Sequence, residues 1–197
     1  MADPFAGAVE ALARGDLVVL PTDTVYGVAA RPELPGATAR LFEAKGRSRD
    51  LTLPVLLADR NGAGLVGSLD GRARRLSERF WPGPLTLVVE RTEASAGWDL
   101  GDERGTIGLR VPDHDRTRAL LAETGPLAVT SANPSGEPTP PDCDGVRAVL
   151  GDAVTVYLCD DPRPAGPPST VFDLTGQDPR VLREGALDPE TVLAALR

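Results

Sequence analysis

The stretch at residues 37–59, "ATARLFEAKGRSRDLTLPVLLAD", carries the pattern on which the fold reading rests. Its first part, "ATARLFEAK", has helical spacing and runs into Lys45, whereas "LPVLLAD" is an apolar run of strand length. Between them Lys45, Arg47 and Arg49 occupy alternate positions, so an extended segment turns all three cations to one side. Helix, charged loop and strand in immediate succession is the repeating unit of an α/β domain.

The same alternation extends in both directions. Upstream, "PFAGAVEALARG" is a helix that stops at Gly15, and "LVVLP" is a buried strand ending at Pro21. Downstream, "GRARRLSERFW" is an amphipathic helix whose arginines form a solvated face. "LTLVVER" and "TIGLRVP" are strands separated by a polar loop; "DRTRALLAET" is a helix, and "PLAVTSAN" a strand that runs into polar residues. "CDGVRAVLG" and "AVTVYLCD" repeat the helix–strand pair. "PSTVFDLTG" and "RVLREG" form a late strand pair, and "DPETVLAALR" closes the chain as a capped helix. The expected architecture is α/β, with a twisted mixed open sheet and flanking helices. The loops "PSGEPTPPD" and "DDPRPAGPPS" are too short to divide it, so one domain over residues 1–197 is expected.

The 197 residues carry 21 Lys+Arg against 29 Asp+Glu, a net charge of −8. That balance argues against a surface that coats nucleic acid, although it permits a local basic cleft. Lys45 is the only lysine in this chain. Cys143 and Cys159 have no CxxC partner and read as reduced thiols of a cytosolic protein. The first residues lack a basic, then apolar, export signal, and no apolar run reaches membrane-spanning length. A soluble, cytoplasmic protein is expected.

Two motifs are decoys. "GAGLVG" at Gly62–Gly67 matches GxGxxG but lacks the strand–turn–helix context and the later acidic residue of a dinucleotide site. His114, the sole histidine, sits at a loop-to-helix junction and reads as a helix-start residue. No GxxxxGK[ST] loop or Gly-x-Ser-x-Gly elbow is present.

What remains is a recurring arrangement of polar or cationic side chains two apart near strand ends. Thr22 and Thr24 share one side of "LPTDTVYG" with Asp23 opposite; Lys45, Arg47 and Arg49 do so in "KGRSR"; Ser131 and Asn133 do so in "AVTSANPSG". Singly, each has a plainer reading as turn chemistry or a solvated loop. Together, at the strand ends where α/β sheets bind ligands, they suggest a polyphosphate site. Arginine forks there grip oxygens, while a lysine supplies a point charge.

In order and approximate spacing, "LPTDTVYGVAA", "AKGRSRD", "FWPGPLTLVVE", "GTIGLRVPDH", "VTSANPSGEPT" and "PSTVFDLTG…VLREGAL" resemble the YrdC-like domain of the threonylcarbamoyl-AMP synthase family. The resemblance spans roughly residues 8–187. It implies a YrdC-like sheet around a deep, positively lined cavity, and the synthesis of threonylcarbamoyl-adenylate and pyrophosphate from L-threonine, bicarbonate or CO2, and ATP. Mg2+ is implied as a companion of ATP rather than of a fixed protein site. Other enzymes would pass the product to tRNA, with weak tRNA binding as a further implication. The length suggests the short form of the family.

By the same resemblance, Lys45, Arg47 and Arg49 meet the ATP phosphates, and Ser131 and Asn133 hold the nucleotide and the reacting carboxyl group. Thr106, Thr139 and Arg183 complete the ATP contacts, whereas Thr22, Arg110 and Thr170 serve threonine. Lys45, Arg47, Ser131 and Asn133 are the implied catalytic set. Ser48 and Thr52 replace prolines that the family often carries, which bears on Arg49. The rival readings are an RNA-binding module of the same fold and a relative that makes a different carbamoyl-adenylate.

Overall fold

The computed structural model describes residues 4–159 and 166–197. The chain begins with helix α1 (Pro4–Ala13), strands β1 (Val18–Leu20) and β2 (Gly27–Ala30), helix α2 (Ala37–Lys45) and strand β3 (Val55–Leu56). Helices α3 (Ala63–Val66) and α4 (Gly71–Phe80) lead to β4 (Leu85–Glu90) and β5 (Thr106–Arg110). Helix α5 (Asp115–Thr124), β6 (Leu127–Ser131), α6 (Cys143–Leu150) and β7 (Val156–Tyr157) follow. The chain closes with β8 (Thr170–Asp173), β9 (Arg180–Arg183) and α7 (Pro189–Ala194).

Local chemistry explains the helix ends. Helix α2 stops at Gly46, whose φ of 56° is left-handed and suits a residue without Cβ. Asp70, Asp142 and Asp188 cap α4, α6 and α7 by accepting first-turn backbone N–H groups. His114 does the same for α5, its Nδ1 accepting from the Thr117 amide, so the helix-start reading of this residue holds. The "GAGLVG" motif forms only the four-residue helix α3. Strand β2, absent from the sequence reading, is a short run whose four residues are all buried, and its period-two signal is correspondingly absent.

The nine strands among the described residues form one mixed sheet in the order β7-β1-β2-β6-β3-β5-β4-β8-β9. Cross-strand partners share a face, which separates the side chains into two sets. On one face, Val19, Val28, Val55, Leu87, Leu109 and Phe172 pack beneath the main core with α2, α4, α6 and α7. On the other, Val18, Leu20, Ala29, Leu56, Leu127 and Val129 pack against Ala8, Ala11 and Leu12 of α1 and Leu120 and Leu121 of α5. Burying a leucine such as Leu120 contributes about 1.5–3 kcal/mol. Helices α1 and α5 cover this second face only over β7, β1, β2, β6 and β3. The continuation of the face over β5, β4, β8 and β9 carries no helix of that second cluster.

The reduced-thiol reading of the cysteines does not hold: Cys143 and Cys159 form a disulfide with a Cα–Cα distance of 5.8 Å. Cys143 opens α6 and Cys159 follows β7, so the helix and its returning strand bring the two ends of a 16-residue separation together. Sequence spacing does not reveal that reversal. Cysteine usage therefore gives no argument for a reducing compartment. Among the described residues no helix is long and apolar enough to cross a membrane.

Candidate functional site

The uncovered part of the second face is the floor of a cavity of about 380 Å³. Strand alternation selects its floor. Thr106, Gly108 and Arg110 of β5, Thr86 and Val88 of β4, and Val171 of β8 point into it, while Ile107, Leu109, Leu85 and Leu87 point to the core. Gly108 lies at the centre of this floor. A Cβ there would stand 3.4 Å from Thr86 Cγ2 and 3.5 Å from Pro54 Cβ, so glycine keeps the floor low.

Three arginines from three separate elements converge on the cavity: Arg47 after α2, Arg110 at the end of β5 and Arg183 at the end of β9. Asp50 is the single carboxylate among the lining residues. The Arg47 Nε donates to Leu51 O at 3.0 Å and Nη2 to Thr52 O at 3.5 Å, which leaves three of its five N–H groups unused. Arg183 grips Ser169, donating from Nε and Nη2 to its carbonyl and from Nη2 to its Oγ, while Ser169 Oγ lies 2.8 Å from Thr86 Oγ1. Burial first, then the charges of Arg110 and Arg47, lower the Arg183 pKa, the electrostatic signature of three cations gathered around one cavity. Burial lowers that of Arg110 too, with Asp23 opposing.

A second polar cluster stands beside the cavity and is closed upon itself. The Lys45 ammonium is buried and donates to the backbone carbonyls of Ser131 and Asn133. The Ser135 amide donates back to Lys45 O at 2.9 Å. Asn133 Nδ2 donates to Pro134 O and Glu137 O, both at 2.7 Å, and its Oδ1 accepts from Thr139 Oγ1 at 3.0 Å. Lysine is the residue type this arrangement needs, because a compact ammonium can serve two carbonyls of one tight turn. Burial, then the Arg47 charge, lowers the Lys45 pKa to about 8.

The expected site residues thus separate into groups. Arg47, Arg110, Arg183, Thr22, Thr106 and Ser131 line the cavity. Lys45, Asn133 and Thr139 form the adjoining turn. Thr22 lines the cavity but also builds its own turn, donating to Val25 O at 2.6 Å and accepting from the amides of Thr24 and Val25. Thr170 is fully buried, its hydroxyl donating to Leu187 O. Arg49 points elsewhere: it pairs with Asp99 at 2.6 Å and Asp102 at 3.4 Å, and its guanidinium lies 4.8 Å from the Phe42 ring centroid. The sequence reading missed Thr86, Ser169 and Asp50. Alternation in "LTLVVE" was the available signal for Thr86; nothing local marks the other two.

With this geometry established, comparison with known proteins identifies the family. The family model Sua5_yciO_yrdC, described as "Telomere recombination", matches residues 10–185. The chain belongs to the Sua5/YciO/YrdC family. A Mycobacterium tuberculosis H37Rv relative, provisionally named threonylcarbamoyl-AMP synthase, is 48% identical over 193 residues, covering 98% of this chain and 88% of its own length. The threonylcarbamoyl-AMP synthase of Bacillus subtilis is 34% identical over 197 residues, covering 98% of this chain and 57% of its own. The crystal structure of Pyrococcus abyssi Sua5 complexed with L-threonine superposes with a TM-score of 0.87 at 33% identity, over 97% of this chain and 56% of that one. This Sua5/YciO/YrdC chain therefore spans little more than half of the Bacillus and Pyrococcus proteins. The twisted mixed sheet expected from the sequence is the sheet of this family.

Proposed function

We propose that this chain is an L-threonylcarbamoyladenylate synthase, joining L-threonine, bicarbonate or CO2, and ATP into threonylcarbamoyl-AMP and pyrophosphate. The observation that carries the proposal is the convergence of Arg47, Arg110 and Arg183 on one hydroxyl-lined cavity. The names of its relatives and the threonine held by the Pyrococcus protein support the same reading.

The reaction suits such a site. Once the amine of threonine has captured CO2, the carbamate oxygen is already an anionic nucleophile. It attacks the α-phosphorus; the new O–P bond forms as the bond to the bridging oxygen of pyrophosphate breaks, and that oxygen leaves with the electron pair. Such transfers depend on positioning and charge stabilisation more than on proton transfer. Arg47 and Arg183 spread positive charge where the phosphates would lie, and Arg110 meets the threonine carboxylate. Ser131 and Thr106 supply hydroxyls at the wall, and the turn built by Lys45, Asn133 and Thr139 sets the position of Ser131. Mg2+ fits only as an ion carried on the phosphates: Asp50 is the one lining carboxylate that could reach it, and it would neutralise phosphate charge there. The product would pass to an enzyme that transfers the threonylcarbamoyl group to tRNA.

The test is pyrophosphate release from ATP and bicarbonate with each of several amino acids. Release that depends on threonine, and is far weaker with serine or alanine, is the expected result. Equal release with every amine would favour a different carbamoyl-adenylate. Salt-sensitive RNA binding without turnover would favour the RNA-binding reading.

A further inference from the structure

The Arg110 guanidinium is held by three acceptors from three parts of the chain. Its Nε donates to Gly83 O at 3.0 Å, Nη1 to Thr24 Oγ1 at 3.0 Å and Nη2 to Asp23 Oδ1 at 2.5 Å. A guanidinium has five N–H donors; with three engaged, two remain, one on each terminal nitrogen. Arg110 also lines the cavity. A pair of adjacent N–H groups on the two terminal nitrogens is the fork that a carboxylate accepts bidentately.

The three acceptors are themselves fixed. Asp23 also accepts the Asp113 amide at 3.1 Å, and the side chains of Arg110 and Asp23 are only 7% and 14% exposed. Thr24 Oγ1 lies 3.0 Å from Thr22 Oγ1. The Gly83 amide donates to Val111 O, one residue beyond Arg110, and a Cβ at Gly83 would stand 2.5 Å from Phe80 O. The "WPGP" stretch, which the proposed reaction leaves without a role, thus presents one carbonyl to the arginine from a position only glycine can occupy.

We propose that Asp23, with Thr24 and the Gly83 carbonyl, is a positioning residue that locks the Arg110 guanidinium so that its two remaining N–H groups form a specificity fork for the α-carboxylate of the amino-acid substrate. This rests on the synthase reading, in which Arg110 already meets the threonine carboxylate, and adds the residues that hold Arg110 for that task. Asp23 touches Arg110 rather than the substrate; its charge offsets that of Arg110 and leaves orientation, rather than net charge, to select a planar carboxylate.

The experiment is steady-state pyrophosphate release by Asp23→Ala, Asp23→Asn, Thr24→Val and Arg110→Ala, with the KM for threonine and for ATP measured separately. Asp23→Ala raises the threonine KM on the order of tenfold or more, the scale of one lost charge-assisted hydrogen bond, and moves the ATP KM by less than about twofold. Asp23→Asn keeps an acceptor and stays within about threefold of wild type. Thr24→Val, which alters a single acceptor, gives a smaller threonine-selective rise. Partial unfolding would instead lower the apparent kcat and leave both KM values in place. An unchanged threonine KM in Asp23→Ala beside a raised one in Arg110→Ala overturns the positioning role alone. An unchanged threonine KM in Arg110→Ala overturns the carboxylate assignment and the positioning role with it. Should Asp23→Ala fail to fold, Thr24→Val decides the question by the same split.

Discussion

Two polar regions flank the cavity, and they use their hydrogen-bonding capacity in opposite ways. In the turn at residues 131–139, Lys45, Asn133 and Thr139 donate to and accept from one another and the backbone, with nearly every polar group turned inward. Around the cavity, Arg47, Arg110 and Arg183 are anchored by part of their forks and keep the rest for a ligand. A residue can thus be indispensable to a site either by facing the substrate or by fixing the shape of what does. Members of the two kinds stand two apart in the chain, Lys45 beside Arg47 and Asn133 beside Ser131, so only their partners tell them apart.

Three substitutions or conditions sharpen or break that contrast. The largest effect is expected for Lys45→Ala, which should cut adenylate formation on the order of 100-fold. If its role is to hold the turn, two buried carbonyls lose their donor and stability falls by about 2–5 kcal/mol in denaturant titration. Full stability with lost activity would move Lys45 from the residues that fix the shape of the site to those that face the substrate. Near-normal pyrophosphate release would remove it from the site altogether.

Arg183→Ala should show the opposite profile. The backbone lies on the edge strand β9, and the side chain is fixed only by its hydrogen bonds to Ser169, so stability should fall by about 1 kcal/mol. The KM for ATP should rise about tenfold, as expected for one lost charge-assisted contact to phosphate. A large loss of stability with an unchanged ATP KM would make Arg183 a clamp for Ser169 and no more.

The smallest effect is a dependence on pH. The Lys45 pKa is lowered from 10.5 to about 8 in the folded protein, so between those values the unfolded chain binds more protons than the native one. Stability contributed by this group therefore rises with pH across that window, and below pH 8 the buried charge is a standing cost. Comparing wild type with Lys45→Met at pH 7.5 and 9.5 should show wild type gaining about 1 kcal/mol, after allowance for solvent screening. Parallel behaviour of the two proteins would mean that the ammonium is solvated rather than enclosed in the turn.

Much of the scaffold was legible along the chain. Helix α2 occupies the nine residues "ATARLFEAK" because Gly46 can take the left-handed conformation that ends it. The late strands β8 and β9 pair as expected, and the structure makes that pairing antiparallel. Strand β3 shrank to Val55–Leu56 although "LPVLLAD" reads as longer, since strand length depends on neighbours: β3 pairs with β5 and β6 over just those residues. Within the site, Arg47 was legible as a cation of the charged loop after a helix, and Arg110 only through the family resemblance. The engagement of Arg49 by Asp99 and Asp102, some fifty residues away in sequence, was not. Nor was the Cys143–Cys159 disulfide.

The sequence by itself determined most of the helices and strands, β2 excepted, and that cations, hydroxyls and an amide recur where those segments end; local periodicity and capping are properties of neighbouring residues. Tertiary structure alone decided which of those polar groups look at one another and which look into the cavity. The physical reason is that a hydrogen bond is satisfied by whatever lies within 3 Å in space. Lys45 finds its carbonyls across 86 and 88 residues of chain, and Arg110 finds Asp23 across 87.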